Sequence, residues 1–216
     1  MKKLLYKEMK LTANPLSYWF ITFSAMTMIP RYPILVGSFF ICLGIFYTYQ
    51  QVQECDDITY TVMLPVSKQD VVTAKYLFVL LIELVAFVLC ALLTIIRMKT
   101  LGNAAPYVTN QLMNANAAYL GYLLAVFASF NGIFLAGFFK TAYKLGKPFI
   151  LFCVVGTIII LMGEVLHHIP GLESLNDPAN LSIPQVVILL IGIVMFKLCT
   201  WFSYQKAIKD FERLDL

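Results

Sequence analysis

Charge is scarce in this chain. Asp, Glu, Lys and Arg make up 13% of its 216 residues, about half the share found in an ordinary soluble domain. So few charges cannot cover a water-facing surface, which excludes a soluble globular enzyme. A hydrophobic content of 60% excludes a disordered tail as well. Catalytic signatures are missing too. There is no G-x-x-x-x-G-K-[ST] phosphate loop, no G-x-S-x-G elbow, no H-E-x-x-H helix and no dinucleotide fingerprint. The chain therefore has no loop of its own for hydrolysing ATP. Cysteine is sparse and odd in number, at Cys42, Cys55, Cys90, Cys153 and Cys199. Its irregular spacing gives neither a disulfide framework nor a zinc site.

What is present is long apolar runs. They lie between Pro15 and Pro30, then over Pro33–Tyr49, Tyr76–Ile96, Ala117–Phe139, Pro148–Leu166 and Pro184–Phe202. A span needs about 20 residues, so the first run is short and the others suffice. None alternates like a strand, and lipid demands backbone bonds satisfied within the segment. The expected fold is all-α: one transmembrane domain over 1–216 with six membrane-spanning helices.

Lys and Arg set the orientation. Segments on one side hold Lys2, Lys3, Lys7, Lys10, Lys68, Lys75, Lys140, Lys144, Lys147, Lys206, Lys209 and Arg213. The other side holds Arg31, Arg97 and Lys99. The positive-inside rule puts both termini in the cytoplasm. Tyr18, Trp19, Trp201 and Tyr204 fall at the inner interface, as an aromatic belt would place them. The net charge of +4 is thus a matter of topology, not a sign of a nucleic-acid partner. Glu8 and a polar stretch separate the first lysines from the first apolar run, so the N-terminus reads as retained rather than as a signal peptide.

Three segments are neither span nor plain connector. Residues 1–12 place Met1, Leu4, Leu5 and Met9 at helical spacing opposite Lys2, Lys3, Lys7 and Lys10, as in a basic interfacial helix. The inner loop over 51–75 contains Ser67-x-x-Asp70, a capping-box pattern behind Pro65. A short helix should start there and present Lys68, Gln69 and Asp70 to the cytoplasm, or else form the inner end of the third span. The outer loops, over 97–116 and 167–183, carry no catalytic spacing.

Polar groups inside spans are costly and mark function by default. Glu83 and Lys197 both fall about 10 Å below the inner interface at 1.5 Å per residue. Equal depth and opposite sign allow an ion pair; alternatively Lys197 snorkels alone and Glu83 is protonated or faces water. Asn131 could bond another helix or line a cavity. Glu164, His167 and His168 form an E-x-x-H-H group at an outer span end, which reads as an interfacial polar cluster rather than a metal site.

The stretch from Glu54 to Leu77, with Met63-Leu64-Pro65-Val66-Ser67-Lys68-Gln69-Asp70 and Lys75-Tyr76, resembles the cytoplasmic loop of ATP-binding-cassette type-2 permeases. That family shows an acidic residue, an LP(V/I)S(K/R) segment, a short coupling helix and a KY entry into the third span. The resemblance implies a mechanism. Two permease subunits, identical or different, would pair around a path and dock two cytoplasmic ABC ATPases. Glu54, Ser67, Lys68, Gln69, Asp70 and Lys75 would make the coupling contacts. ATP and Mg would sit on the ATPases, with no cofactor on this chain. The N-terminal helix would brace the same partner. Short members resembling this chain include Gram-positive exporters of amphipathic toxin peptides, of the phenol-soluble modulin exporter type. A bacterial plasma membrane and a hydrophobic or amphipathic substrate follow, with the aromatic residues available for an apolar lining. The alternatives are a gradient-driven carrier or channel using Glu83 as its coupling group, and a membrane scaffold or unrecognised intramembrane enzyme.

Overall fold

The structure, a computed structural model, describes residues 2–141 and 144–214. Met1, expected on the apolar face of the N-terminal helix, lies outside them. Every regular element among the described residues is helical. Four helices are long and apolar enough to cross a membrane: Lys68–Thr100, Ala117–Phe139, Gly146–Leu166 and Ile183–Glu212.

The chain opens with α1 (Lys2–Lys7) and a π turn over Glu8–Thr12. Asn14 then caps α2 (Pro15–Trp19), its side chain accepting from the Leu16 N–H at 2.9 Å. Pro at the first helical position suits that start. The rest of the first apolar run is a 3-10 helix, Phe20–Met28. Its hydroxyls bond locally, Thr22 to the Trp19 carbonyl and Thr27 to the Ser24 carbonyl, both at 2.7 Å. Such bonds compete with regular helix. The second run forms α3 (Val36–Glu54), whose last turn is polar.

Asp56 takes a left-handed conformation (φ 49°, ψ 31°) and turns the chain from α3 into α4 (Asp57–Val62). The loop therefore does contain a short separate helix, but it lies upstream of the expected position. Ser67 caps the next helix, its Oγ accepting from the Asp70 N–H at 3.0 Å and donating to the Asp70 carboxylate at 2.7 Å. That helix, α5 (Lys68–Thr100), runs unbroken for 33 residues. The segment over 67–74 is thus the inner end of the third apolar helix and not a free-standing element.

After α6 (Ala105–Val108) comes α7 (Ala117–Ser129), continued by a π segment, Phe130–Leu135, and α8 (Ala136–Phe139). This continuous helix is the centre of the bundle: 67% of its apolar window is buried, against 17–33% for the other three long helices. α9 (Gly146–Leu166), a 3-10 turn at Glu173–Asn176 and α10 (Ile183–Glu212) complete the chain. α7 and α10 cross at two glycines. A Cβ on Gly192 would stand 2.3 Å from the Gly121 carbonyl oxygen, and one on Gly121 2.5 Å from that of Ile188. Small residues allow this approach, as is usual between membrane helices. The outward faces of α9 and α10 are apolar and exposed, with Ile150, Leu161, Leu190 and Val194 among them.

A cluster of phenylalanines fills part of the core. Phe130, Phe134, Phe138, Phe139 and Phe152 are all fully buried, and Phe46 stacks on Phe149 with centroids 3.9 Å apart. These rings contact each other, so they are packing and not the lining of an open path.

Candidate coupling face and intramembrane polar network

At the N-terminal end of α5, four charged side chains close a ring. Lys75 Nζ donates to Glu8 Oε2 and to Asp57 Oδ2, each at 2.9 Å. Lys7 Nζ donates to Asp57 Oδ1 and to Glu8 Oε1, the latter at 3.3 Å. Lys7 also reaches Thr61 Oγ1 at 2.6 Å. Two cations and two carboxylates thus alternate, and the ring has no net charge. It joins the N-terminal segment, α4 and α5. Burial alone would push the Asp57 carboxyl up, but the Lys75 and Lys7 ammonium groups outweigh it and hold it below the usual carboxylate range. Lys75 and Glu8 are each only 2% exposed. Lys75, expected at the cytoplasmic surface, is therefore enclosed and can act on a partner only through Glu8, Asp57 and their segments.

The other expected coupling residues lie at the surface. Glu54, Ser67 and Gln69 are exposed, while Lys68 and Asp70 are half-buried. Glu54 accepts from Gln50 at 3.0 Å, and Lys68 donates to the Leu214 carbonyl. Between them stand Tyr60, Met63 and Leu64, at 68%, 76% and 50% exposure. Met63 and Leu64 belong to the segment that carries the family resemblance, and the signal of the patch is three large side chains in a loop otherwise rich in polar residues.

Deeper in the bundle, a line of polar groups connects α5, the π segment and α10. Tyr76 OH pairs with Ser203 Oγ at 2.7 Å, and Ser203 Oγ donates to the Asn131 carbonyl. Asn131 Nδ2 donates to Glu83 Oε2 at 2.9 Å and to Thr200 Oγ1 at 3.1 Å. Asn131 stands in the π segment, and such bulges recur at functional positions. Glu83 and Asn131 are fully enclosed. Glu83 Oε1 and Asn131 Oδ1 have no hydrogen-bond partner among the described residues.

Lys197 forms no ion pair with Glu83; it is exposed on α10, while Asn131 occupies the place beside the carboxylate. Depth along a helix follows from residue number, but facing depends on about 100° per residue, and here Thr200 and Ser203 are the α10 residues that turn inward. Lys197 instead lines a groove of about 670 Å³ between α5 and α10, with Thr73, Tyr76, Leu77, Leu80, Trp201 and Tyr204.

The opposite end of the bundle is tied by amides. Arg97, expected in a loop, is the buried last-turn residue of α5. It donates to Asn114 Oδ1 at 2.8 Å and to the Thr27 carbonyl, and lies 4.4 Å from the Tyr107 ring centroid. Glu164 accepts from the Met113 N–H at 2.8 Å, and His167 Nε2 bonds the Gln111 carbonyl at 3.0 Å. Both residues thus fasten loop backbone. Among the described residues, no group of three His, Cys, Asp or Glu side chains is arranged to hold a metal.

Long apolar helices with enclosed ion pairs at one end define a multi-pass helical membrane protein. The family model described as ABC-2 family transporter protein matches residues 3–212, nearly the whole chain, so the chain belongs to that family. Membership makes it the membrane permease of an ABC transporter and implies partnership with ABC ATPase subunits. No curated protein and no solved structure matches it.

Proposed function

We propose that this chain is the permease half of an ABC exporter. Two such subunits pair in a bacterial plasma membrane and couple ATP hydrolysis by two ATPases to export of a hydrophobic or amphipathic substrate, a class that includes peptide toxins. In this reading the α2–3-10 segment and α3 are short crossings, giving six with the four long helices, and both termini are cytoplasmic. The observation that carries the coupling part is the Lys7–Glu8–Lys75–Asp57 ring. It fastens the loop helix α4 and the N-terminal segment to α5, so force applied at the loop is passed to a membrane helix. Tyr60, Met63 and Leu64, with Glu54, Ser67, Lys68, Gln69 and Asp70 around them, form the face on which the ATPase sits.

Co-expression with the phosphate-loop ATPase encoded nearest to this chain's gene tests the reading. A stable complex is expected, and Met63→Asp should release the ATPase while the membrane part stays folded. A permease that purifies folded yet never retains an ATPase would sink the proposal. Transport in ATP-free vesicles driven by a pH gradient alone would favour the carrier reading, for which the enclosed Glu83 is the supporting observation.

A further inference from the structure

The groove between α5 and α10 has a chemical character of its own. Its walls are apolar, built from Leu77 and Leu80 on α5 and Phe196 and Leu198 on α10. Its volume of about 670 Å³ lies within the usual range for small-molecule sites. Among the described residues, Lys197 is the charged one in the lining and no acidic side chain lines it. Lys197 and Trp201 are four residues apart on α10 and so share one side of the helix. Neither side chain has a hydrogen bond or ion pair among the described residues.

The other polar groups on the wall are already engaged. Thr73 Oγ1 bonds the Gln69 carbonyl at 2.7 Å and Tyr204 OH at 2.9 Å. Tyr76 OH is held by Ser203. What remains is an ammonium and an indole N–H, which only donate, beside an apolar slot.

The surroundings indicate the occupant. Leu77, Leu198 and Trp201 are 40%, 51% and 59% exposed, on helices long and apolar enough to cross a membrane. Acyl chains cover such a surface, and the headgroup is what the donors select. Lys197 starts about 10 Å below the inner interface, so its long side chain snorkels towards that interface along the groove; an ammonium there attracts anionic lipid, and a phosphate oxygen accepts from both donor types. We propose that this groove binds one anionic phospholipid of the inner leaflet, with its phosphate on Lys197 and Trp201 and an acyl chain along Leu77, Leu80 and Leu198. The inference does not depend on the substrate or the direction of transport.

The chain has two tryptophans, so Trp19→Phe leaves Trp201 as the sole reporter. The full-length variant is placed in phosphatidylcholine vesicles containing a low, equal mole fraction of either brominated phosphatidylglycerol or brominated phosphatidylcholine. Quenching by the anionic lipid is expected to be about fivefold more effective, the preference that one lysine near the membrane surface confers. Lys197→Gln in the same background should abolish the preference, and Lys209→Gln, on the exposed cytoplasmic end of α10, should keep it. Equal quenching by the two lipids would overturn the proposal, as would a preference that survives Lys197→Gln. Absence of quenching by either lipid would also overturn it, since a second copy of the chain would then cover the groove.

Discussion

Lys75 and Glu8 are 67 residues apart in sequence and 2.9 Å apart in space, and both are enclosed by protein. A buried charge left without its partner is far more costly than the pair is stabilising. Lys75→Met should therefore cost about 3 kcal/mol of stability and loosen the N-terminal segment. Limited trypsin digestion reads this directly, because Lys2, Lys3 and Lys10 flank the ring and are exposed. Cleavage at Lys10 should become much faster in the variant. An unchanged digestion pattern would mean that the ring does not hold the segment.

The same ring sets a pH dependence. The Asp57 carboxyl is held below its ordinary value, so the unfolded chain binds its proton more readily than the folded one. Its contribution is complete above the unfolded value of about 3.9 and is lost as pH falls through the lower folded value. Protection of the N-terminal segment should thus persist at pH 5 and fail only below about pH 4. Asp57→Asn should remove the protection at every pH. Loss of protection already between pH 6 and 5 would show that another group governs it.

The crossing of α7 and α10 has no room for a methyl group. Gly192→Ala places a carbon 2.3 Å from a backbone oxygen, which side-chain rotation cannot relieve. A cost of about 1–3 kcal/mol is expected, seen as a lowered unfolding temperature in detergent. Gly146→Ala is the control: nothing lies within 4 Å of a Cβ there, and the change should be within about 0.5 kcal/mol.

Glu83 offers a sharper substitution. Its Oε2 accepts from Asn131, while Asn131 Oδ1 lacks a donor. Glu83→Gln keeps an acceptor for the Asn131 amide and replaces the unpartnered Oε1 with an amide donor. The variant should be at least as stable as the parent, whereas Glu83→Ala should lose about 1–3 kcal/mol by stranding the Asn131 amide. Equal losses in the two variants would mean that the carboxylate itself is required for the fold.

Much of this molecule could be read from its residues, and the limits have physical causes. The helix start at Ser67 was legible because the cap lies within three residues of its partner. The four long apolar helices were legible because apolar length decides them. The break in the first run was not, since its hydroxyl-to-carbonyl bonds leave hydropathy unchanged. Nor was the left-handed turn at Asp56, which shifts the loop helix upstream to α4. The ion ring combines residues from three separated segments, and no local pattern links them. Glu83 and Lys197 show the remaining limit: their depths could be computed, but which way each side chain points depended on how the helices packed.

The unbroken course of α5 has a mechanical consequence. Its 33 residues give a rod about 50 Å long, clamped near one end by the Lys75 ring and at the other by Arg97. With no hinge between the clamps, a pivot of about 5° at the inner end would carry the outer end by about 4 Å, given that length. A small movement of α4 would then be carried by the α5 backbone to the asparagine-rich loops at its far end, loading the Glu83–Asn131 and Arg97–Asn114 bonds on the way.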